Sequence, residues 1–293
     1  MEKHITVCFP EKSSLGSLYT ADRDFPHPRK WIGEAKGKRA LVYPEAKMLG
    51  VALGAVGWEG LAAANSDELN CLESIDFSTT QFSEKTLRSS TGLLGLMEIR
   101  LDFLRFGDKD IDILSIFPTL QTLWLTGTEV SDKGMDNLAK LPALVNLVLK
   151  STTVSDAGLT NLAPLKTLES LTLPAHTGDE GLKNLKELKS LKRLDLSFTK
   201  VTDEGLGNLA ALPHLQELYL SDTKVTDKGI HHLTKVPSLR VIFLSGTKVS
   251  DQALPHMEKL PALEHLELRD TGVTEIGQAR LKSRIPECAI FGP

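Results

Sequence analysis

The chain is poor in several features that would mark particular classes of protein. It has three cysteines in 293 residues, Cys8, Cys71 and Cys288, an odd number with no CxxC spacing. That argues against a disulfide framework or a zinc site, fits a reducing compartment, and leaves the thiols as small buried apolar residues. No stretch approaches the roughly 18 consecutive apolar residues of a membrane span, and the opening MEKHITVCFPEKSSLG lacks the apolar core of a secretory leader. The expected location is the cytoplasm, with no membrane contact. Neither sign of charge is in excess: 34 basic against 38 acidic side chains leave a net charge of −4, so nothing drives the chain toward nucleic acid. GxSxG, HExxH, GxxxxGK[ST] and GxGxxG are all missing. No catalytic residue, cofactor or metal is assigned, and the chain is read as a non-enzyme.

Leucine at a fixed interval is what the sequence does have. LDLSFTKVTDEGLGNLAAL, from Leu194, is nearly restated by LYLSDTKVTDKGIHHLTKV, from Leu218. Units of LxxLxL begin at Leu72, Leu96, Leu120, Leu144, Leu168, Leu191, Leu215, Leu239 and Leu263, so the period is 24 residues with one step of 23 after Leu168. One period before Leu72 lies Met48, where MLGVAL meets the pattern in a degenerate form suited to a terminal unit. About ten units therefore occupy 48–286. The final ECAIFGP offers a capping strand within 287–293.

Each position in the unit has a physical role. LxxLxL reads as a short strand with leucines inward and the intervening residues on the opposite face. Thr at position 9 can bond backbone groups freed as the chain leaves the strand, and Val at position 11 returns inward. The Ser/Thr-Asp pair that follows suits a helix start, hydroxyl as cap and carboxylate in the first turn. GLxxLxxLP is then a short helix ended by proline. One unit cannot hide its six or seven apolar groups, so the units must stack.

This pattern resembles the leucine-rich repeat family, and TKVTDEGLGNLAALPHL resembles its bacterial form with TxVTDxGLxxLxxLPxL. The resemblance covers about 48–293. It implies an α/β solenoid with a curved parallel sheet on the concave side, short helices on the convex side, and a protein or peptide bound on the concave sheet. The unit at 168–190 departs by losing one residue and its position-11 Val, and an irregularity is expected around Pro174–Gly178. Residues 1–47 lie outside the period. Short β-type runs split by Gly and Pro suggest a small antiparallel element that seals the first repeat, with Trp31 and Tyr43 as exposed aromatics.

Residues that the repeat does not dictate are the candidates for binding. At outward position 5 stand Arg100, Trp124, Val148, Asp195, Tyr219 and Phe243, with Val241 beside Phe243 and Phe198 near its strand end. Trp124 with Val148 makes one apolar island; Tyr219, Phe243, Val241 and Phe198 make another. Arg100, Arg193, Asp195, Glu217 and Glu267 are the nearby charges that set register with a partner. Alternatively, the aromatics serve cross-strand packing. His232 and His256 share position 18 on adjacent helices, but four preceding units carry Asn there, and the Asp column at position 13 is explained by helix starts. The row Lys183, Lys186, Lys189 and Lys192 reads as a solvated helix face. The functional expectation is a monomeric protein-interaction module. The alternative is a target-recruitment subunit of a larger enzyme complex, ubiquitin-ligase-like or effector, although no F-box-like helical segment is present.

Overall fold

The structure is a computed structural model that describes residues 2–9, 14–23, 29–36, 38–45, 47–54, 69–80, 87–88 and 93–292. Two compact units are present, 1–130 with 143–147 and 131–142 with 148–293.

The first unit begins with β1 (Glu2–Cys8), β2 (Gly16–Asp22), β3 (Arg29–Glu34), β4 (Lys38–Pro44) and β5 (Lys47–Leu53). Strands β1 and β4 pair antiparallel, and β2 lies antiparallel between β3 and β5. At β5 the pairing changes hand. Its free edge takes β6 (Ser74–Asp76) in parallel, followed by β7 (Glu98–Arg100) and β8 (Thr122–Trp124). Parallel neighbours need a long crossover, and the chain between one strand and the next supplies it. Met48, Val51 and Leu53 on β5 are buried like the inward leucines of later units. The rest of that Met48 unit, 55–68, falls outside the described residues. The N-terminal strands thus extend the sheet edgewise. Tyr19 lies across Gly50, where a Cβ would strike its ring. Tyr43 is a correction to the sequence reading: it is only 4% exposed, packed inward on β4 rather than displayed. Burial pushes its phenol up to about 12. Strand β9 (Asn146–Val148) follows in the chain, and its Asn146 amide donates to Thr122 Oγ1 at 2.8 Å.

In the second unit β10 (Ser170–Thr172), β11 (Arg193–Asp195), β12 (Glu217–Tyr219), β13 (Val241–Phe243), β14 (His265–Glu267) and β15 (Ala289–Phe291) pair parallel in chain order. Leu171, Leu194, Leu218, Ile242 and Leu266 form the buried column at their centre. Thr199, Thr223 and Thr247 hydroxyls donate back to Leu196, Leu220 and Leu244 carbonyls at 2.6–2.7 Å, closing the turn out of each strand. Helical segments such as Asp227–Leu233 start on a Thr or Ser whose hydroxyl accepts a backbone N–H. The aspartates do more than favour helix starts. Asp227 accepts from the N–H and hydroxyl of Ser250 at 2.6 and 2.8 Å, and Asp251 accepts from Thr274 in the same way at 2.8 and 2.8 Å. Each carboxylate therefore fastens its unit to the next.

The short unit at 168–190 shows what its missing residue did. From the Leu96 unit onward position 8 is otherwise left-handed, at Phe103, Gly127, Ser151, Phe198, Asp222, Gly246 and Asp270, with φ between 53 and 73°. Ala175 at that place is not left-handed. The turn is tightened, and Thr177 fills the place held by Val201 in the next unit. It is fully buried, and its hydroxyl has no hydrogen-bond partner. Among the described residues, no helix is long and apolar enough to cross a membrane.

Candidate interaction surface

On short strands whose leucines face inward, the intervening side chains share the opposite face. In the second unit that face carries a run of stacked rings. Tyr219 and Phe243 stack at 4.8 Å between centroids with planes 19° apart; Phe243 stacks on His265 at 5.2 Å, and His265 on Phe291 at 4.8 Å. Ring spacing follows strand spacing because successive strands lie side by side about 4.8 Å apart. Tyr219 and Phe243 are in register on β12 and β13, whereas the later contacts run diagonally from position 5 to position 3 and back. Val241 is half-buried beside them, and Phe291 is 41% exposed.

Charges close one end of this run. Arg193 lies over the Tyr219 ring at 5.9 Å and pairs with Glu217 at 2.5 Å, and the Tyr219 hydroxyl donates to Glu217 Oε2 at 2.9 Å. Burial, outweighing Arg193, pushes the Tyr219 phenol up to about 12. Asp195 accepts the Ser197 N–H at 2.9 Å. Phe198 is held at φ 65° with its ring 55% exposed and Lys150 over it at 5.4 Å. Val148 is buried and presents almost no surface.

In the first unit, Trp124 and Arg100 sit in a polar network. The Arg100 guanidinium lies 3.8 Å from the Trp124 ring centroid, and Trp124 Nε1 donates to Glu98 Oε1 at 2.8 Å. The fully buried Glu98 also accepts from Ser74 at 2.6 Å, and Ser74 shares a 2.6 Å hydrogen bond with Tyr19. Arg29 covers Tyr19 and pairs with Asp76. Trp124 is thereby held from within its own unit.

Three aromatic or imidazole groups escaped the sequence reading. His265 stands at position 3, in the column of Arg193, Glu217 and Val241. Phe291 falls at position 5 when the period is continued past Leu263. Phe103, 76% exposed and left-handed at φ 61°, occupies position 8, which the leucine pattern does not constrain.

On the helix side, His256 packs against His231 at 4.9 Å, so the sequence pairing of His232 with His256 is not the ring contact seen. Burial and the neighbouring His231 lower the His256 pKa. No group of three or more metal-ligating side chains occurs among the described residues. Lys183 pairs with Glu180 at 2.5 Å, Lys192 with Glu169 at 2.8 Å, and Lys189 donates to the Ala211 carbonyl at 3.0 Å. Lys189 and Lys192 lie beyond the helical segments, which end at Glu187, and all three lysines are spent on groups of the chain itself.

The family model described as Leucine Rich repeat matches residues 187–210 and 211–233. Internalin C2 of Listeria monocytogenes is similar in structure, with a TM-score of 0.55 and 24% identity over 70% of this chain and 84% of that one. An internalin F of the same organism is similar with a TM-score of 0.50 and 17% identity over 83% of this chain and 86% of the other. No curated protein matches the chain. With one strand per repeat of about 24 residues, a buried leucine or isoleucine at the centre of each from β6 to β14, and two matched repeats in its second half, the chain has a leucine-rich-repeat fold.

Proposed function

We propose that this protein is a non-catalytic interaction module that binds a protein or peptide on the strand face of its second unit. The observation that carries this reading is the ring stack Tyr219, Phe243, His265 and Phe291. The same outward positions in neighbouring strands hold Ser170, Thr172, Arg193 and Asp195, so the fold itself does not require rings there. Stacked rings present a rigid apolar surface at little entropic cost, as interface anchors do. Arg193, Asp195 and Glu217 border them and set register with a partner. Val241 and Phe198 extend the same surface.

The test is affinity capture from source lysate with the intact protein beside folded variants. Tyr219→Ala with Phe243→Ala is expected to abolish capture while circular dichroism is unchanged. His232→Ala with His256→Ala, and Lys186→Glu with Lys189→Glu, are expected to leave it intact. Loss of capture in the helix-side variants alone would put the binding surface on the other face.

A further inference from the structure

Among the described residues, β15 is the outermost strand of the second unit. Ala289 N–H donates to the Glu264 carbonyl at 2.7 Å, and the Phe291 carbonyl accepts from Leu268 N–H at 2.6 Å, so these two residues bond inward to β14. Alternate residues of a strand turn their backbone groups to opposite edges. The carbonyls of Cys288 and Ile290 and the N–H groups of Ile290 and Gly292 therefore point outward. In the preceding units such outward groups meet the next strand. The Gln216 carbonyl accepts from the Arg240 and Val241 N–H groups at 2.8 and 3.0 Å, and Leu244 N–H donates to the Glu267 carbonyl at 2.9 Å.

At β15, side chains of the helix Glu275–Arg284 stand in for that strand. Lys282 Nζ donates to the Cys288 and Pro286 carbonyls at 2.6 and 2.8 Å, and Gln278 reaches the Ile290 carbonyl at a long 3.4 Å. Only carbonyls are covered in this way; the Ile290 and Gly292 N–H groups have no strand to donate to. The ring stack stops at the same edge. His265 covers the inner face of Phe291, and no ring covers the outer one, beside the exposed Ala289. Within the stack a ring is followed either by one at the same level on the next strand, as Tyr219 is by Phe243, or diagonally from position 5 to position 3, as Phe243 is by His265.

We infer that the protein partner adds an extended segment to this edge, parallel to β15, and lays an aromatic side chain on the outer face of Phe291; the inference rests on the binding function proposed above. An added strand supplies acceptors for the two N–H groups and a donor better placed than Gln278 for the Ile290 carbonyl. Its ring continues the stack by one of the two steps the stack already uses, in the offset geometry that ring pairs prefer. Charge specifies one more residue. Among the described residues Lys282 holds only carbonyls and pairs with no carboxylate. When a strand N–H takes the Cys288 carbonyl, the displaced ammonium is left to an anion. An acidic residue at the level of Cys288, followed by the aromatic at the level of Ala289, meets both requirements.

The test is a nuclear magnetic resonance titration of the whole chain with the peptide acetyl-Asp-Glu-Phe-Val-Thr-Ser amide, following hydrogen exchange at the Ile290 and Gly292 amides and the ring signals of Phe291. Two control peptides carry Ala for Phe, or a methyl on the Thr nitrogen that faces the Ile290 carbonyl. The expected result is a saturable shift of the Phe291 ring with exchange at both amides slowed about tenfold. Either control peptide, or Phe291→Ala in the protein, is expected to bind about tenfold more weakly. Unchanged exchange at these amides, or equal binding of the methylated peptide, would overturn the inference. So would protection that appears without peptide and grows with protein concentration, which would give the edge to a second copy of the chain. If the amides stay unprotected while Tyr219→Ala with Phe243→Ala still abolishes capture, the edge site falls and the protein-binding reading stands. If the peptide protects them while capture is indifferent to those changes, the edge site stands and that reading falls.

Discussion

The Asp203 carboxylate grips Thr226 twice, taking its backbone N–H at 2.7 Å through Oδ1 and its hydroxyl at 2.6 Å through Oδ2. Thr226 in turn caps the helix Asp227–Leu233, so one carboxylate links two successive helix starts. Gly229 lies against it, and a Cβ there would strike Asp203 Oδ1. The same crowding occurs between Gly205 and Asp179 and between Gly277 and Asp251. This is why the unit reads TDxG: the Asp reaches the next unit, and the Gly in that unit leaves room for it.

Replacing Asp203 with Ala should therefore cost about 2 kcal/mol, two charge-assisted hydrogen bonds lost at a partly exposed site. Gly229→Ala should destabilise by about 1–3 kcal/mol through overpacking. The two changes should couple, since the added methyl finds space once the carboxylate is gone. Denaturant unfolding of both single variants and the double variant measures that coupling; strict additivity would refute the steric account.

Thr177 offers the opposite case. It occupies a valine's place with a buried hydroxyl that bonds nothing. Thr177→Val keeps the shape and removes the unsatisfied group, so stability should rise by about 1 kcal/mol. A lower melting temperature would mean that the hydroxyl has a partner the geometry does not reveal.

The repeat was legible in the sequence because burial repeats with it. Every inward leucine from Leu72 to Leu266 answers to a period that needs no knowledge of the partner strand. Functions that couple one unit to the next were less legible. Asp203 looks like a helix-start residue until Thr226 is placed beside it, because a local pattern cannot show what lies one repeat away. The ring stack was half legible. Tyr219 and Phe243 share a column, but the diagonal steps to His265 and Phe291 depend on side-chain lean, which spacing does not encode. Val148 looked outward by alternation, yet its neighbours cover it.

All three tyrosines of the chain resist ionisation. Burial raises Tyr19 furthest, reinforced by Glu98, and it pushes Tyr43 and Tyr219 up to about 12. A phenol whose folded pKa exceeds the unfolded value of about 10 holds its proton longer in the folded chain. Its stabilising contribution is therefore complete below about pH 10 and is lost as pH rises through about 12. Tyrosinate absorbance should stay flat through the usual phenol range and appear only at higher pH, together with unfolding. A full tyrosinate signal near pH 10 from a chain that is still folded would contradict this.

Phe198 is a large aromatic in a left-handed turn, at φ 65°, where two other units place Gly127 and Gly246. That conformation crowds a Cβ against the backbone, and glycine relieves it. The ring is 55% exposed, with Lys150 over it, so its burial offsets only part of the strain. Phe198→Gly should accordingly raise stability by about 1 kcal/mol. Strain kept at an exposed aromatic on the proposed binding surface points to a partner contact, so the same variant should also weaken capture of the protein partner. Melting curves and capture measured on one preparation separate the two effects. A variant that is more stable and binds as well as the parent would show that the Phe198 ring serves no contact, and one that is less stable would show that Lys150 and the ring hold the turn together.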